Sequence, residues 1–206
     1  MRLQLPVGNF AAYLFDCDGT IADSMPLHFV AWQQALGEWG AVFDEETFYA
    51  WGGKPTAQIV AELNAAQGLK MPLQAVADRK EDLYYELLPE LKAIPEVLEH
   101  IKAQYGRMPF AVVSGSCRDS VIKTLTAVDL LDLFPVIVGS EDYPRSKPAP
   151  DAFLEGAARL GVAPKDCLVF EDTALGIQAA TAAGMASVRV PSPLERRSNT
   201  AENFAS

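Results

Sequence analysis

The sequence predicts an α/β chain built on a parallel sheet, with an all-helical domain inserted near its start. Three observations lead there. Short apolar runs rich in β-branched and aromatic residues recur at Ala12–Phe15, Phe110–Val113, Val136–Val138, Leu168–Phe170 and Ala186–Val190. Helical patterns separate the later runs, which is the βαβ rhythm of a Rossmann-like five-stranded parallel sheet. Between about Met25 and Ala93 no strand pattern occurs at all.

Taken in order, the first run ends in Asp16-Cys17-Asp18-Gly19-Thr20, an apolar strand running into a glycine turn. The stretch after it carries amphipathic patterns at Leu27–Trp39, Glu45–Trp51, Thr56–Gln67 and Leu73–Leu88. Pro26, Pro55 and Pro72 stand near the starts of three of them, where a missing amide proton is tolerated. This predicts a core of residues 1–24 and 94–190 and a helical cap of residues 25–93 that overhangs the double aspartate as a lid. The later helices are expected at Pro95–Tyr105, Arg118–Val128, Pro150–Leu160 and Ala174–Ala183, the last closed by Gly184. Residues 191–206 read as a polar tail, loosely ordered or a short surface helix.

Composition narrows the function. With 206 residues, half of them hydrophobic, the chain can bury the core of one ordinary domain plus an insertion. A net charge of −10 repels a phosphate backbone, and no dense Lys/Arg stripe overrides it, so nucleic acid is not an expected partner. No apolar stretch reaches the roughly 18–20 residues of a membrane span and the first nine residues lack a signal-peptide pattern, so a cytoplasmic, membrane-free and monomeric protein is expected. Cys17, Cys117 and Cys167 are odd in number and lack metal-ligand spacing.

In open parallel sheets ligands sit beyond the carboxyl ends of the strands. Four groups fall at that edge. Asp16 and Asp18 crowd two negative charges, which is unfavourable unless a cation sits with them or one carboxyl keeps its proton. They do not form an EF-hand loop, which needs glycine sixth and glutamate twelfth. Ser114-Gly115-Ser116 offers a hydroxyl and backbone N–H groups to an anion, or is an ordinary helix cap. Lys147, between Ser146 and Pro148, is a solvated lysine or an anion-binding one. Glu171-Asp172 is a helix cap or a hard-cation site beside Asp16. Their recurrence at one edge favours the chemical reading of all four.

With these four motifs the chain resembles the haloacid dehalogenase superfamily over roughly residues 10–190. Asp16 to Thr20 is similar to its first motif, Ser114 to its second, Lys147 to its third and Glu171-Asp172 to its fourth. The segment from Leu27 and His28 to Trp32 resembles the cap of the β-phosphoglucomutase and small sugar-phosphatase branch. The resemblance implies Asp16 as nucleophile forming an aspartyl-phosphate, and Asp18 as general acid and base. Ser114, the Gly115 backbone and Lys147 would hold the phosphoryl group. It also implies Mg²⁺ held by the Asp16 carboxylate, the Asp18 backbone carbonyl and Asp172, with Glu171 in support. At 4 Å and an effective dielectric of 20, each unit charge is worth about 4 kcal/mol, so a local cation and lysine suffice to draw a phosphate to an acidic protein. Cys17 alternates with the two acids along the strand and is expected in the core rather than in catalysis.

The acid at position 18 points away from dehalogenation, which the family carries out without it. The core motifs do not separate a phosphatase from a mutase. Substrate choice would rest on the cap side chains His28, Trp51, Lys54 and Lys80. Thr56 stands near the place where the mutase uses an arginine to grip a distal phosphate, and lysine at 54 does not reproduce a bidentate grip. A second departure is Pro95-Glu96 where many relatives have Pro-Gly. The expectation is therefore a Mg²⁺-dependent phosphatase of small sugar phosphates such as fructose-1-phosphate, with β-phosphoglucomutase as the alternative. A receiver-like signalling domain shares the Asp, acidic ligands and Lys, but has no lid.

Overall fold

The computed structural model describes residues 3–196. Five strands, β1 (Ala12–Phe15), β2 (Phe110–Val113), β3 (Val136–Val138), β4 (Cys167–Glu171) and β5 (Ala186–Arg189), form one parallel sheet in the order β3-β2-β1-β4-β5. β1 is central, so the chain reverses its direction of travel across the sheet beside it, the place where such sheets open a ligand crevice. Strand β4 is longer at both ends than the apolar run Leu168–Phe170, because it pairs with β1 on one side and β5 on the other.

Side-chain alternation distributes the strands between two cores. Tyr13, Phe15, Phe110, Val112 and Phe170 pack with α5 (Pro95–Gln104) and α6 (Arg118–Ala127) on one face. Leu14, Ala111, Val113 and Val169 pack with α7 (Asp151–Leu160) and α8 (Ala174–Ala182) on the other. Gly184, at φ +71°, follows the end of α8. No described helix is long and apolar enough to cross a membrane.

Between β1 and α5 stand α1 (Met25–Gly37), α2 (Glu45–Ala50), α3 (Thr56–Gln67) and α4 (Leu73–Leu87). These helices and the link between α1 and α2 bury an apolar cluster of their own, Trp32, Phe43, Phe48, Val60, Leu63 and Val76 among them. Pro26 lies in the first turn of α1, while Pro55 and Pro72 directly precede α3 and α4. The chain leaves and re-enters the sheet layer side by side. Ala22 bridges Ala93, the Asp23 N–H donates to the Lys92 carbonyl at 2.8 Å, and that of Ile94 to Ile21 at 2.8 Å. Residues 197–206 of the expected tail lie outside the described residues; before them, Arg196 donates to the Pro191 carbonyl at 2.8 Å.

Candidate active site

The carboxyl ends of β1 and β4 lie side by side, and the Asp16 N–H donates to the Phe170 carbonyl at 2.9 Å. That pairing brings Asp16 next to Glu171 and Asp172. Oxygens of these three buried acids lie within 4.8 Å of one another. One cation serves the group: Lys147 Nζ donates to Asp16 Oδ1 at 2.7 Å and to Glu171 Oε2 at 2.6 Å. Burial would lower the Lys147 pKa, but the two carboxylates outweigh it and hold the ammonium charged. Asp16 is pushed up to about 8 by burial and by Glu171, against the pull of Lys147. Burial, Glu171 and Asp16 raise Asp172 well above the usual carboxylate range. Three carboxylates around one ammonium leave negative charge that a further cation would relieve.

Asp18 stands apart from this cluster. Its carboxylate accepts from the Ser24 hydroxyl at 2.7 Å and the Ser116 hydroxyl at 2.9 Å, with His28 Nε2 at 3.2 Å. Burial pushes Asp18 up, but these partners outweigh it and hold the carboxyl below its ordinary range. Lys80 Nζ, which has only protons to give, lies 2.9 Å from His28 Nδ1. A neutral His28 therefore keeps its proton on Nε2 and donates to Asp18, in line with burial and Lys80 lowering its pKa. His28 also stacks on Tyr84 at 3.8 Å between ring centroids.

Two glycines allow these acids their places. Gly19 has φ +83°, and a Cβ there would meet Asp172 Oδ2 at 2.2 Å. A Cβ on Gly176, in the first turn of α8, would stand 2.0 Å from the Glu171 carboxylate. Glu171 is thereby tucked against α8, where its other oxygen accepts from the Thr173 N–H at 2.9 Å and hydroxyl at 2.7 Å.

Asp16, Asp18, Ser114, Gly115, Lys147 and Glu171 line a cavity of about 470 Å³ whose roof is formed by the inserted helices. Ser114 is buried at its edge, its Oγ accepting from the Ser116 N–H at 3.0 Å. Open space surrounds the position a Cβ would take on Gly115, so the backbone there is approachable. The cap residues anticipated from sequence, His28, Trp51, Lys54 and Lys80, all line the same cavity. Lys54 lies over the Trp51 ring at 4.2 Å and donates to Glu62 at 2.6 Å. Cys17 is fully buried in the sheet core, its thiol pushed well up by burial and by Asp18 and Asp16, which leaves no nucleophile there.

Sequence reasoning gave no role to Ser24 and read Ser116 only within the anion-binding segment Ser114–Ser116, not as a partner of Asp18. Ser24 directly precedes α1, yet its side chain makes no cap hydrogen bond to that helix and turns to Asp18 instead. Thr20, whose hydroxyl donates to Asp172 at 3.3 Å, was likewise hidden in the turn.

This sheet, with two acids at the end of β1, a lysine bridging Asp16 to Glu171 of β4 and a helical roof, defines a hydrolase class. The chain belongs to the haloacid dehalogenase-like hydrolases, whose family model matches residues 13–190. Over 185 residues it is 39% identical to fructose-1-phosphate phosphatase YqaB of Escherichia coli (strain K12), covering 88% of this chain and 97% of that one. It is 30% identical to a phosphorylated carbohydrates phosphatase of Thermotoga maritima, over 84% of this chain and 82% of the relative. The fold is shared with a crystal structure of β-phosphoglucomutase from Clostridium difficile, with a TM-score of 0.80, 24% identity and coverage of 91% of this chain and 87% of that one.

Proposed function

We propose that this hydrolase is a phosphatase of small sugar phosphates that works through a phosphorylated Asp16. The observation carrying the reading is the buried arrangement of Asp16, Glu171 and Asp172 around Lys147, on the floor of a cavity that also holds Asp18. The sugar portion is suggested by the two bacterial phosphatases it resembles.

The oxygen-only donor set and its uncompensated charge suit a hard divalent cation, and Mg²⁺ would be held by Asp16 and Asp172 with the Asp18 backbone carbonyl, Glu171 supporting. When bound it supplies positive charge against the transferring phosphoryl oxygens. Lys147 supplies more, and Ser114 with the Gly115 backbone hydrogen-bonds the phosphoryl group. An Asp16 oxygen attacks phosphorus, the bond to the sugar oxygen breaks, and that oxygen takes a proton from Asp18. Water then attacks the aspartyl-phosphate, gives its proton to Asp18 and releases inorganic phosphate. Asp18 therefore enters the first step protonated and the second ionised. Its three partners favour the ionised form at rest, and the negative charge of an arriving phosphate favours the proton. We further read α1–α4 as the lid over this chemistry, excluding bulk water.

The test is incubation with Mg²⁺ and fructose-1-phosphate, and in parallel with β-glucose-1-phosphate plus a trace of the 1,6-bisphosphate. Free phosphate and glucose-6-phosphate are measured in the same samples. Phosphate release without isomerisation is expected; glucose-6-phosphate outpacing phosphate would make the protein a mutase.

A further inference from the structure

The cavity's cations are accounted for one by one. Among the described residues lining it they are Lys54, Lys80 and Lys147, with no arginine. Lys147 belongs to the acid cluster below. In the roof, Lys54 donates to Glu62 at 2.6 Å and Lys80 to Glu81 at 2.8 Å. The other oxygen of Glu81 is buried and accepts no hydrogen bond, and Asp78, which also lines the cavity, has the Gln74 amide on it at 2.7 Å. Arg118 follows the cavity-lining Cys117 in the chain but turns to Asp142 at 2.7 Å. The roof thus sets two lysines against three carboxylates.

From this we infer that Glu62 is a positioning residue for substrate choice: by holding Lys54, it leaves the roof without a free cation, so the enzyme accepts monophosphates with an uncharged, hydroxyl-rich tail and rejects esters carrying a second phosphate. The inference rests on the sugar-phosphatase reading and sharpens it. A distal phosphate would have to compete for Lys54 with Glu62, which the Gln58 amide also holds at 2.9 Å. It would also share the cavity with Asp78 and Glu81, whose negative charges oppose a second phosphate. Neutral hydroxyls meet no such opposition, and carboxylates are good acceptors for them. Glu62 itself does not line the cavity. It acts through Lys54 alone.

The experiment compares fructose-1-phosphate with fructose-1,6-bisphosphate in the Mg²⁺-loaded enzyme, as kcat and KM and as competitive inhibition by the bisphosphate. The unaltered enzyme is expected to prefer the monophosphate by about a hundredfold or more in kcat/KM. Glu62→Gln is expected to lower the KM or inhibition constant of the bisphosphate about tenfold, while kcat and the monophosphate constants stay within about twofold. Adding Lys54→Gln to that variant is expected to cancel the gain, which a merely structural effect of Glu62 would not do. Equal use of both esters by the unaltered enzyme, or a Glu62→Gln variant with the bisphosphate constants unmoved, would overturn the inference and leave the phosphatase reading standing. No release of phosphate from any sugar monophosphate would remove that reading and the inference with it.

Discussion

Asp18 takes its donors from separate parts of the chain: Ser24 at the start of α1, His28 one turn later, and Ser116 from the loop after β2. Replacing it with asparagine keeps the shape and removes the exchangeable proton. Asp18→Asn is expected to lower kcat by about 10²- to 10⁴-fold, with thermal unfolding unchanged. Ser24→Ala should cost far less, a severalfold fall in kcat that corresponds to one hydrogen bond of about 1 kcal/mol. A Ser24→Ala variant as inactive as Asp18→Asn would show that the carboxylate cannot be held without it. At this scale Asp16, Asp18, Lys147, Glu171 and Asp172 were legible in the sequence, because strand ends and residue chemistry both point to them. Ser24, the bond from Ser116 to Asp18 and the partner of Lys54 were not, since each depends on where a loop or helix aims a side chain.

Among the elements, the close approach of α8 to β4 shows how packing and chemistry meet in one contact. Glu171 is wedged beneath the first turn of α8 at Gly176, and it orients Lys147. Alanine at 176 improves helix propensity by roughly 1 kcal/mol, yet its methyl group would occupy the carboxylate's space. Gly176→Ala is therefore expected to displace Glu171 and Lys147 and to reduce kcat at least about tenfold. Activity equal to the unaltered enzyme would mean that Glu171 can shift without consequence. The element ends were legible wherever proline or glycine marks them, as at Pro26, Pro55, Pro72 and Gly184. The far ends of β4 were not, because Cys167 is drawn into the sheet by pairing with Ala12 of β1, and Glu171, a charged residue, by pairing with Arg189 of β5.

In the molecule as a whole, the inserted helices meet the sheet layer at a few specific contacts. The Tyr84 hydroxyl on α4 lies 2.9 Å from the Thr124 hydroxyl on α6, both buried, and Lys123 sits over the Tyr85 ring at 3.6 Å. Tyr84→Phe leaves the Thr124 hydroxyl without that partner, at a cost of about 1 kcal/mol to the contact between the two layers. A severalfold drop in kcat/KM with an unfolding temperature lowered by about 2–4 °C is expected; an unchanged kcat/KM would mean that this contact does not position the roof over the site. The acid cluster makes a separate prediction. Mg²⁺ at about 100 times its dissociation constant should raise the unfolding temperature by about 5–10 °C, and Asp172→Asn should abolish the shift. A shift that persists in Asp172→Asn would place the ion elsewhere. The five-stranded sheet and the helical insertion were both legible from the spacing of apolar runs, whereas the angle between the layers was not, because it rests on pairs such as Tyr84 and Thr124, 40 residues apart.

The side-by-side crossing at Ala22 and Ala93 bears on descent as well as on motion. A module whose chain enters and leaves its host at one bridged pair of residues, Ala22 and Ala93, can lengthen, shorten or change its lining without altering the registration of the sheet. Mutations in α1–α4 can therefore be tried by natural selection against new metabolites while the acid cluster beneath is inherited intact.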